Sequence, residues 1–264
     1  MLRCLKDLEQ YTMCTTDGEI GTMENVLLDD ATWTVRHLVV DIGDHCEGRQ
    51  VRISPSALGK IDQLARRFHL ALTMDEARKS PSNGVGLSVS PRRERNYQDY
   101  YGFPYYSGYS MPVAQETCPN SMTLGTWFES SPARRMDTNE VHLRSAKEVR
   151  GYRIQGSDGP IGRFSDFIAD DQTWEVRYLV IDTSRFCFGK KVLVAPRWVT
   201  HVSWQERNVY VNLPRKVIKN SPEWTPTSAI ERAYEEHLHN HFGRPMYRDD
   251  GERRVHIPVP IAQR

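Results

Sequence analysis

The chain has 264 residues, enough for one large domain or two smaller ones, each with its own core. Charged residues make up 26% of it but the formal net charge is +1, which argues against a phosphate-backbone binder with its surplus of Lys and Arg. Mean hydropathy is −0.61, and apolar runs such as Leu38-Val39-Val40 fall far short of the about 20 residues a membrane span needs.

The opening stretch, "MLRCLKDLEQ", sets acids among its bases and has no apolar core. It is not read as a secretory leader, and a cytoplasmic location is expected. Five cysteines (Cys4, Cys14, Cys46, Cys118 and Cys187) form no CxxC pair. Their odd number points to reduced thiols, not to a disulfide framework or a structural zinc site.

From Leu2 to Pro81 the sequence returns without a gap 141 residues later, from Leu143 to Pro222, and about 24 of the 80 paired positions agree. A unit of this length is too long for a solenoid repeat and reads as two copies of one small domain. In each, "DGEIG" or "DGPIG" carries the Asp-Gly signal of a tight turn. An apolar strand follows, "TMENVLLDD" or "RFSDFIADD", and its two terminal acids open a short polar turn.

The next strand is expected to begin at Trp33 or Trp174, with Trp33, Val35 and Val39 alternating against Thr34 and Arg36. Leu38-Val39-Val40 within it is apolar on both faces, as in a strand crossing the middle of a barrel. A turn at Gly48 or Gly189 precedes "RQVRISP" or "KKVLVAP". The second copy ends in two alternating strands, "VTHVSWQERNVYVNL". The matching "ALGKIDQLARRFHLALT" of the first leaves room for a helical turn before its last strand. The expected fold class is all-β, with five or six short strands per copy closing into two small barrels in tandem.

Residues 82–141 join the copies. Gly, Pro and Ser mix there with Tyr97, Tyr100, Tyr101, Phe103, Tyr105, Tyr106 and Tyr109. These rings suit either a partner-binding surface or packing back onto the barrels. "RRER" at 92–95 reads as a solvated charged patch. The expected divisions are a first copy at 1–81, the linker at 82–141, a second copy at 142–223 and a tail at 224–264. In the tail a helix is expected from about 228 to 242. Ser228 with Glu231 would form a capping box, Gly243 would end the helix, and Ile230, Tyr234, Leu238 and Phe242 would line one flank. The last residues, "VHIPVPI" among them, read as extended.

The turn "SDGPIGRFSDFIADD", the aromatic-led strand ending "LVID" and "KKVLVAP" resemble the PRC-barrel family; "TDGEIGTMENVLLDD", "LVVD" and "RQVRISP" repeat the resemblance in register. It covers about 160 residues. It implies two PRC-type β-barrels that bind or position partner macromolecules, with no shared catalytic residues. The family includes the cytoplasmic domain of the photosynthetic reaction-centre H subunit and a domain of a ribosome-maturation factor. Neither the membrane helix of the former nor the separate N-terminal domain of the latter is expected from this sequence.

Chemistry-bearing candidates are few. On a helix His237 and His241 share a face while His239 points away, so at most two could hold one ion, and no HExxH occurs; no metal is expected. Asp29-Asp30 and Asp170-Asp171 read as turn formers rather than acid–base pairs. Asp41 and Asp182 are expected to cap amides of the loop that follows. Cys46 and Cys187 read as small buried thiols, since His45 beside the first becomes Phe186 beside the second. No Gly-rich phosphate loop and no cofactor motif is present.

The expected function is therefore a non-catalytic interaction or scaffold protein. Its two barrels pair within the chain, dock a protein partner and have the option of further self-association. A photosynthetic or electron-transfer assembly is suggested by the resemblance. A ribosome- or RNA-associated factor using Arg92, Arg93 and Arg95, and a metal-dependent enzyme using His237 and His241, are the alternatives.

Overall fold

Alternating apolar residues, bulges and tight turns build two seven-stranded sheets with the same strand order. The computed structural model describes residues 1–43, 49–80, 143–184, 189–226 and 230–245. In the first repeat the strands are β1 (Leu2–Cys4), β2 (Thr12–Thr15), β3 (Gly18–Asp29), β4 (Thr34–Asp41), β5 (Gln50–Ile53), β6 (Leu58–Asp62) and β7 (Arg67–Leu70), followed by helix α1 (Met74–Lys79). The second has β8 (Leu143–Ser145), helix α2 (Ala146–Val149), β9 (Arg153–Gly156), β10 (Gly159–Asp170), β11 (Val176–Asp182), β12 (Lys191–Val194), β13 (Val199–Ser203), β14 (Asn208–Val211) and α3 (Arg215–Lys219). Helix α4 (Arg232–Phe242) follows in the tail.

One sheet runs β5-β4-β3-β2-β7-β6 and the other β12-β11-β10-β9-β14-β13. The remaining strand of each comes from the opposite repeat: β1 pairs with β10, and β8 pairs with β3. The chain is thus mostly strand with a few short helices. Among the described residues neither sheet closes on itself, since β5 and β6, like β12 and β13, end their path.

The twelve-residue strands β3 and β10 organise each sheet. Register shifts at Met23/Asn25 and Leu27/Leu28 in β3 recur at Phe164/Asp166 and Ile168/Ala169 in β10. An extra residue at a bulge bends the strand and strengthens its twist, which lets one long strand pair along both edges. Gly21 and Gly162 sit where these strands pass closest to a neighbour. A Cβ at Gly21 would lie 1.9 Å from the Asp41 carbonyl oxygen, and one at Gly162 would lie 2.2 Å from that of Asp182.

The Asp of each Asp-Gly turn does more than turn the chain. The Asp17 carboxylate accepts from the Met74 amide at 2.7 Å, at the start of α1, and Asp158 accepts from the Arg215 amide at 2.5 Å, at the start of α3. The Met74 N–H, with the Thr15 hydroxyl, holds the Asp17 carboxyl below the usual range. Asp41 and Asp182 accept the amides of Gly43 and Ser184, capping the loops that follow their strands. Leu38, Val39 and Val40 are all buried, and one apolar cluster runs through both repeats from Leu5 to Phe242.

The structure departs from expectation at three places. Residues 57–73 form no helix beyond a 3-10 turn at Pro55–Ala57; β6 and β7 make a hairpin there, as their counterparts do in the second repeat. The strand after the Asp-Asp turn begins one residue late in the first repeat, at Thr34, and two late in the second, at Val176. Helix α4 starts at Arg232 with Glu231 as its N-cap and no side-chain cap; Ser228 lies outside the described residues. Gly243 ends it in the left-handed conformation, at φ 60°, as the sequence predicts.

Substituting Gly162 by Ala should lower stability by about 2–3 kcal/mol, because the added methyl meets backbone and not a movable side chain. Urea unfolding measures this, and a loss below 0.5 kcal/mol, roughly what a surface site gives, would contradict the close approach.

Candidate functional site

The thirteen residues that occur twice, "DDATWTVRHLVVD" and "DDQTWEVRYLVID", build the seam between the repeats. Asp29 accepts the amides of Ala31 and Thr32, and Asp170 those of Gln172 and Thr173. Each turn closes with a Trp amide on the Asp carbonyl, both at 2.8 Å. This leaves Trp33 at φ 53° and Trp174 at φ 57°. A side chain with a Cβ loses about 1–2 kcal/mol in that region. The seam offsets this strain. The Val176 amide donates to the Trp33 carbonyl and the Val35 amide to the Trp174 carbonyl, each at 2.8 Å. The Trp33 ring packs 6.2 Å from Phe167, and Trp174 is buried.

The second acid of each pair faces across the seam. Arg3 binds Asp171 at 2.6 Å and Arg144 binds Asp30 at 3.1 Å. Residues 3 and 144, and 30 and 171, are equivalent in the repeat, so the two ion pairs are images of one another. They latch the exchanged strands β1 and β8. Burial alone would raise the Asp171 carboxyl, but the Met1 ammonium and Arg3 outweigh it and hold it below the usual range.

Closer to the axis the symmetry breaks. Asn25 Nδ2 donates to Ser145 Oγ at 2.8 Å, and the Lys147 amide donates to Asn25 Oδ1 at 3.3 Å. At the equivalent positions the Cys4 thiol donates to Asp166 Oδ2 at 2.7 Å and the Lys6 amide donates to the same oxygen at 2.9 Å. Arg150 binds Glu9 at 2.5 Å and stands 3.6 Å from Asp166 Oδ1, an ion pair longer than a hydrogen bond. Glu9 and Arg150 occupy the same place in the repeat, so their contact lies on the pseudo-two-fold axis. Burial raises the Asp166 carboxyl despite its hydrogen bonds to Cys4 and Lys6 and the Arg150 charge. Burial and the neighbouring Asp166 push the Cys4 thiol far up, which makes it a poor nucleophile.

Helix α4 lies on the second sheet. Leu238 and Phe242 are buried, with the Phe242 ring 4.7 Å from Trp198; Ile230 and Tyr234 pack at the edge. Helical spacing sets His239 apart from His237 and His241, and the structure turns it inward. It is buried between Trp198 and Tyr178, with Nε2 3.2 Å from the Tyr178 hydroxyl and Nδ1 3.2 Å from Arg197. Burial, then the Arg197 charge, lowers its pKa. Tyr178 also donates to Glu235 at 2.7 Å, and His241 Nε2 meets the Val217 carbonyl at 2.8 Å. The inward turn of His239 follows from Phe242 and Leu238, whose docking sets the helix face.

Among the described residues no group of three or more His, Cys, Asp or Glu side chains is placed to hold a metal, and no helix is long and apolar enough to cross a membrane. The aromatic candidates Tyr97, Tyr100, Tyr101, Phe103, Tyr105, Tyr106 and Tyr109 lie outside the described residues, as do Cys46, Cys187 and the arginines at 92–95. The repeat alignment already held the signal for the ion-paired latches, which sequence reasoning missed: Arg3/Arg144 and Asp30/Asp171 are identical pairs. No family model and no curated protein matches the chain.

Cutting the chain at a protease site engineered between residues 82 and 141 should leave two fragments that co-elute on size exclusion. Arg3→Ala combined with Arg144→Ala should loosen them, since each change removes a charge-assisted bond across the seam, at about 1–3 kcal/mol. Separation of the wild-type fragments would refute the latch.

The stability of Asp166→Asn relative to wild type should grow as pH rises from about 4, the unfolded-state value, toward 7. The folded pKa of Asp166 is raised, so its contribution is fullest below the unfolded pKa and is lost as pH climbs through the folded one. Asn25 already makes the equivalent contacts with an amide. Urea unfolding across this range checks it; a pH-independent difference would count against a strained carboxylate.

Proposed function

We propose that the chain is a non-catalytic docking protein made of two PRC-type barrels in tandem, with 82–141 as linker and 224–264 as tail. The bends in β3 and β10 support a barrel-like curl of each sheet. One observation carries the reading: the acids of the repeated motifs are engaged in structure. Asp17 and Asp158 hold the helix starts, Asp29 and Asp170 the turns, Asp41 and Asp182 the loops, and Asp30 and Asp171 the arginines across the seam. Carboxylates committed in this way stabilise a scaffold and leave none of these groups for acid–base chemistry.

The partner in this reading is a protein, met by the barrel loops and the tyrosine-rich linker in the cytoplasm, where thiols such as Cys4 and Cys14 stay reduced. The resemblance to the reaction-centre H subunit suggests a photosynthetic or electron-transfer assembly. Fusing the two repeats makes their pairing independent of protein concentration.

Chemical cross-linking in the native cell, followed by mass spectrometry, tests the proposal. One protein linked recurrently to lysines of both repeats, Lys60 and Lys216 for instance, is the expected result. Links confined to the chain itself would overturn the docking reading.

A further inference from the structure

The formal charge of +1 conceals an uneven division between the repeats. Residues 2–81 hold 10 Lys and Arg against 13 Asp and Glu, whereas residues 143–222 hold 14 against 8. Part of the second repeat's surplus lies in one row of its sheet. Across the neighbouring strands β12, β11, β10, β9 and β14, the residues Lys191, Asp182, Arg163, Arg153 and Asn208 pair in a single register. Directly paired residues send their side chains to the same face of a sheet. Arg153 and Arg163 are exposed there, and Lys191 is half-buried.

The first repeat carries the same row in the same register, with Gln50, Asp41, Thr22, Thr12 and Arg67. There the long side chains are answered: Gln50 donates to Glu24, and Arg67 pairs with Glu19 at 2.7 Å. Thr22 faces Thr12, a favourable cross-strand pair. In the second repeat both carboxylates are gone, since Ser165 and Pro160 stand in their places, and both threonines have become arginines. Like charges directly opposite one another destabilise a strand pair, so Arg153 and Arg163 bring the sheet nothing that the threonines lack. Among the described residues neither they nor Lys191 form an ion pair; Arg163 donates to the Gly151 carbonyl at 3.1 Å. The Asp182 carboxylate beside them is taken by the amide and hydroxyl of Ser184.

We propose that this outer face of the second repeat docks an acidic segment of a partner protein, whose carboxylates are bound by Arg153, Arg163 and Lys191. The proposal rests on the docking reading and adds to it the face and the charge of the partner. A guanidinium presents parallel N–H donors that match a carboxylate. With strands about 4.8 Å apart, the three cations span about 14 Å, a length that an extended segment of about five residues covers. A nucleic acid fits this face less well. Strong binding to a phosphate backbone draws on about 6–10 contacts. Further along β14, the Tyr210 ring is already stacked on His201 at 4.1 Å, with its hydroxyl on the Glu206 carboxylate.

A fluorescent peptide alternating Glu with Thr is the probe, and its Gln–Thr counterpart is the control. Titrated with the full-length protein at low salt, the Glu peptide should bind saturably and the Gln peptide should not. Arg153→Thr combined with Arg163→Thr restores the first-repeat residues and should weaken binding about tenfold, the worth of two good surface ion pairs. Arg67→Thr, in the matching row of the first repeat, should leave binding unchanged. Urea unfolding of the double variant should show no loss of stability; a loss would make the arginines structural and overturn the proposal. Equal binding by the double variant, equal binding of the Gln peptide, or a preference for single-stranded oligouridylate over the Glu peptide would overturn it as well. Cross-linking in the native cell separates the two readings. Partner links undiminished in the double variant overturn this face and leave the docking reading standing, whereas links confined to the chain itself overturn both.

Discussion

The reciprocal exchange of first strands is the constraint on which the rest of the architecture depends. A three-residue strand such as β1 has little stability alone and needs an edge to pair with. Its own sheet does not provide that edge; β10 does, and β3 provides the same for β8. Each repeat therefore completes the other's sheet. The turns at Trp33 and Trp174 make this possible by placing their carbonyls and the following amides where the opposite repeat reaches them. Strain in two tryptophan backbones is sustained by four hydrogen bonds across and within the seam, a pattern that persists only where the surroundings over-determine it.

Perfect symmetry would fail at the axis. Glu9 and Arg150 are equivalent and touch one another, so a pair of first repeats would oppose two carboxylates there and a pair of second repeats two guanidiniums. Like charges in a part-buried site are costly, whereas opposite charges attract, so the substitution selects pairing between unlike repeats. A buried ion pair is weak evidence for stability, and specificity is its better-attested role. Asp166 and Cys4 in place of Asn25 and Ser145 belong to the same divergence. Asp166 adds a second charge opposite Arg150, at the expense of holding a carboxylate where burial disfavours it.

Local features were legible in the sequence. The Asp-Gly turns, the both-face-buried Leu38-Val39-Val40, the capping roles of Asp41 and Asp182, and the Gly243 helix end all rest on contacts within a few residues. The all-β class followed from the same signals. What stayed hidden depends on distance. Nothing in "LRC" or "LRS" announces which sheet it joins, because three residues show no period and both sheets offer the same edge. Trp33 was assigned to a strand on alternation, while its backbone answers to a hydrogen bond from Val176, more than a hundred residues away. Helical spacing separates His239 from His237 and His241 but does not say which way it faces, and the docking of Leu238 and Phe242 decides that.

Differences between the repeats prove as informative as their identities. Where both must do the same structural work, at Asp17/Asp158, Gly21/Gly162 and Asp30/Asp171, the residues are unchanged, because one geometry admits one chemistry. Where they diverge, the fold has been relieved of that duty. Trp204 closes its own side by packing against Arg144 and Tyr152; on the other side Gln63 supplies no ring, and Tyr11 takes Arg66 and Phe68 as its neighbours. Exposed Leu64 at the neighbouring hairpin tip, fully accessible where a core residue would be covered, fits the same relaxation. Duplication thus lets the same corner be closed by different side chains in the two repeats while the seam between them keeps one geometry.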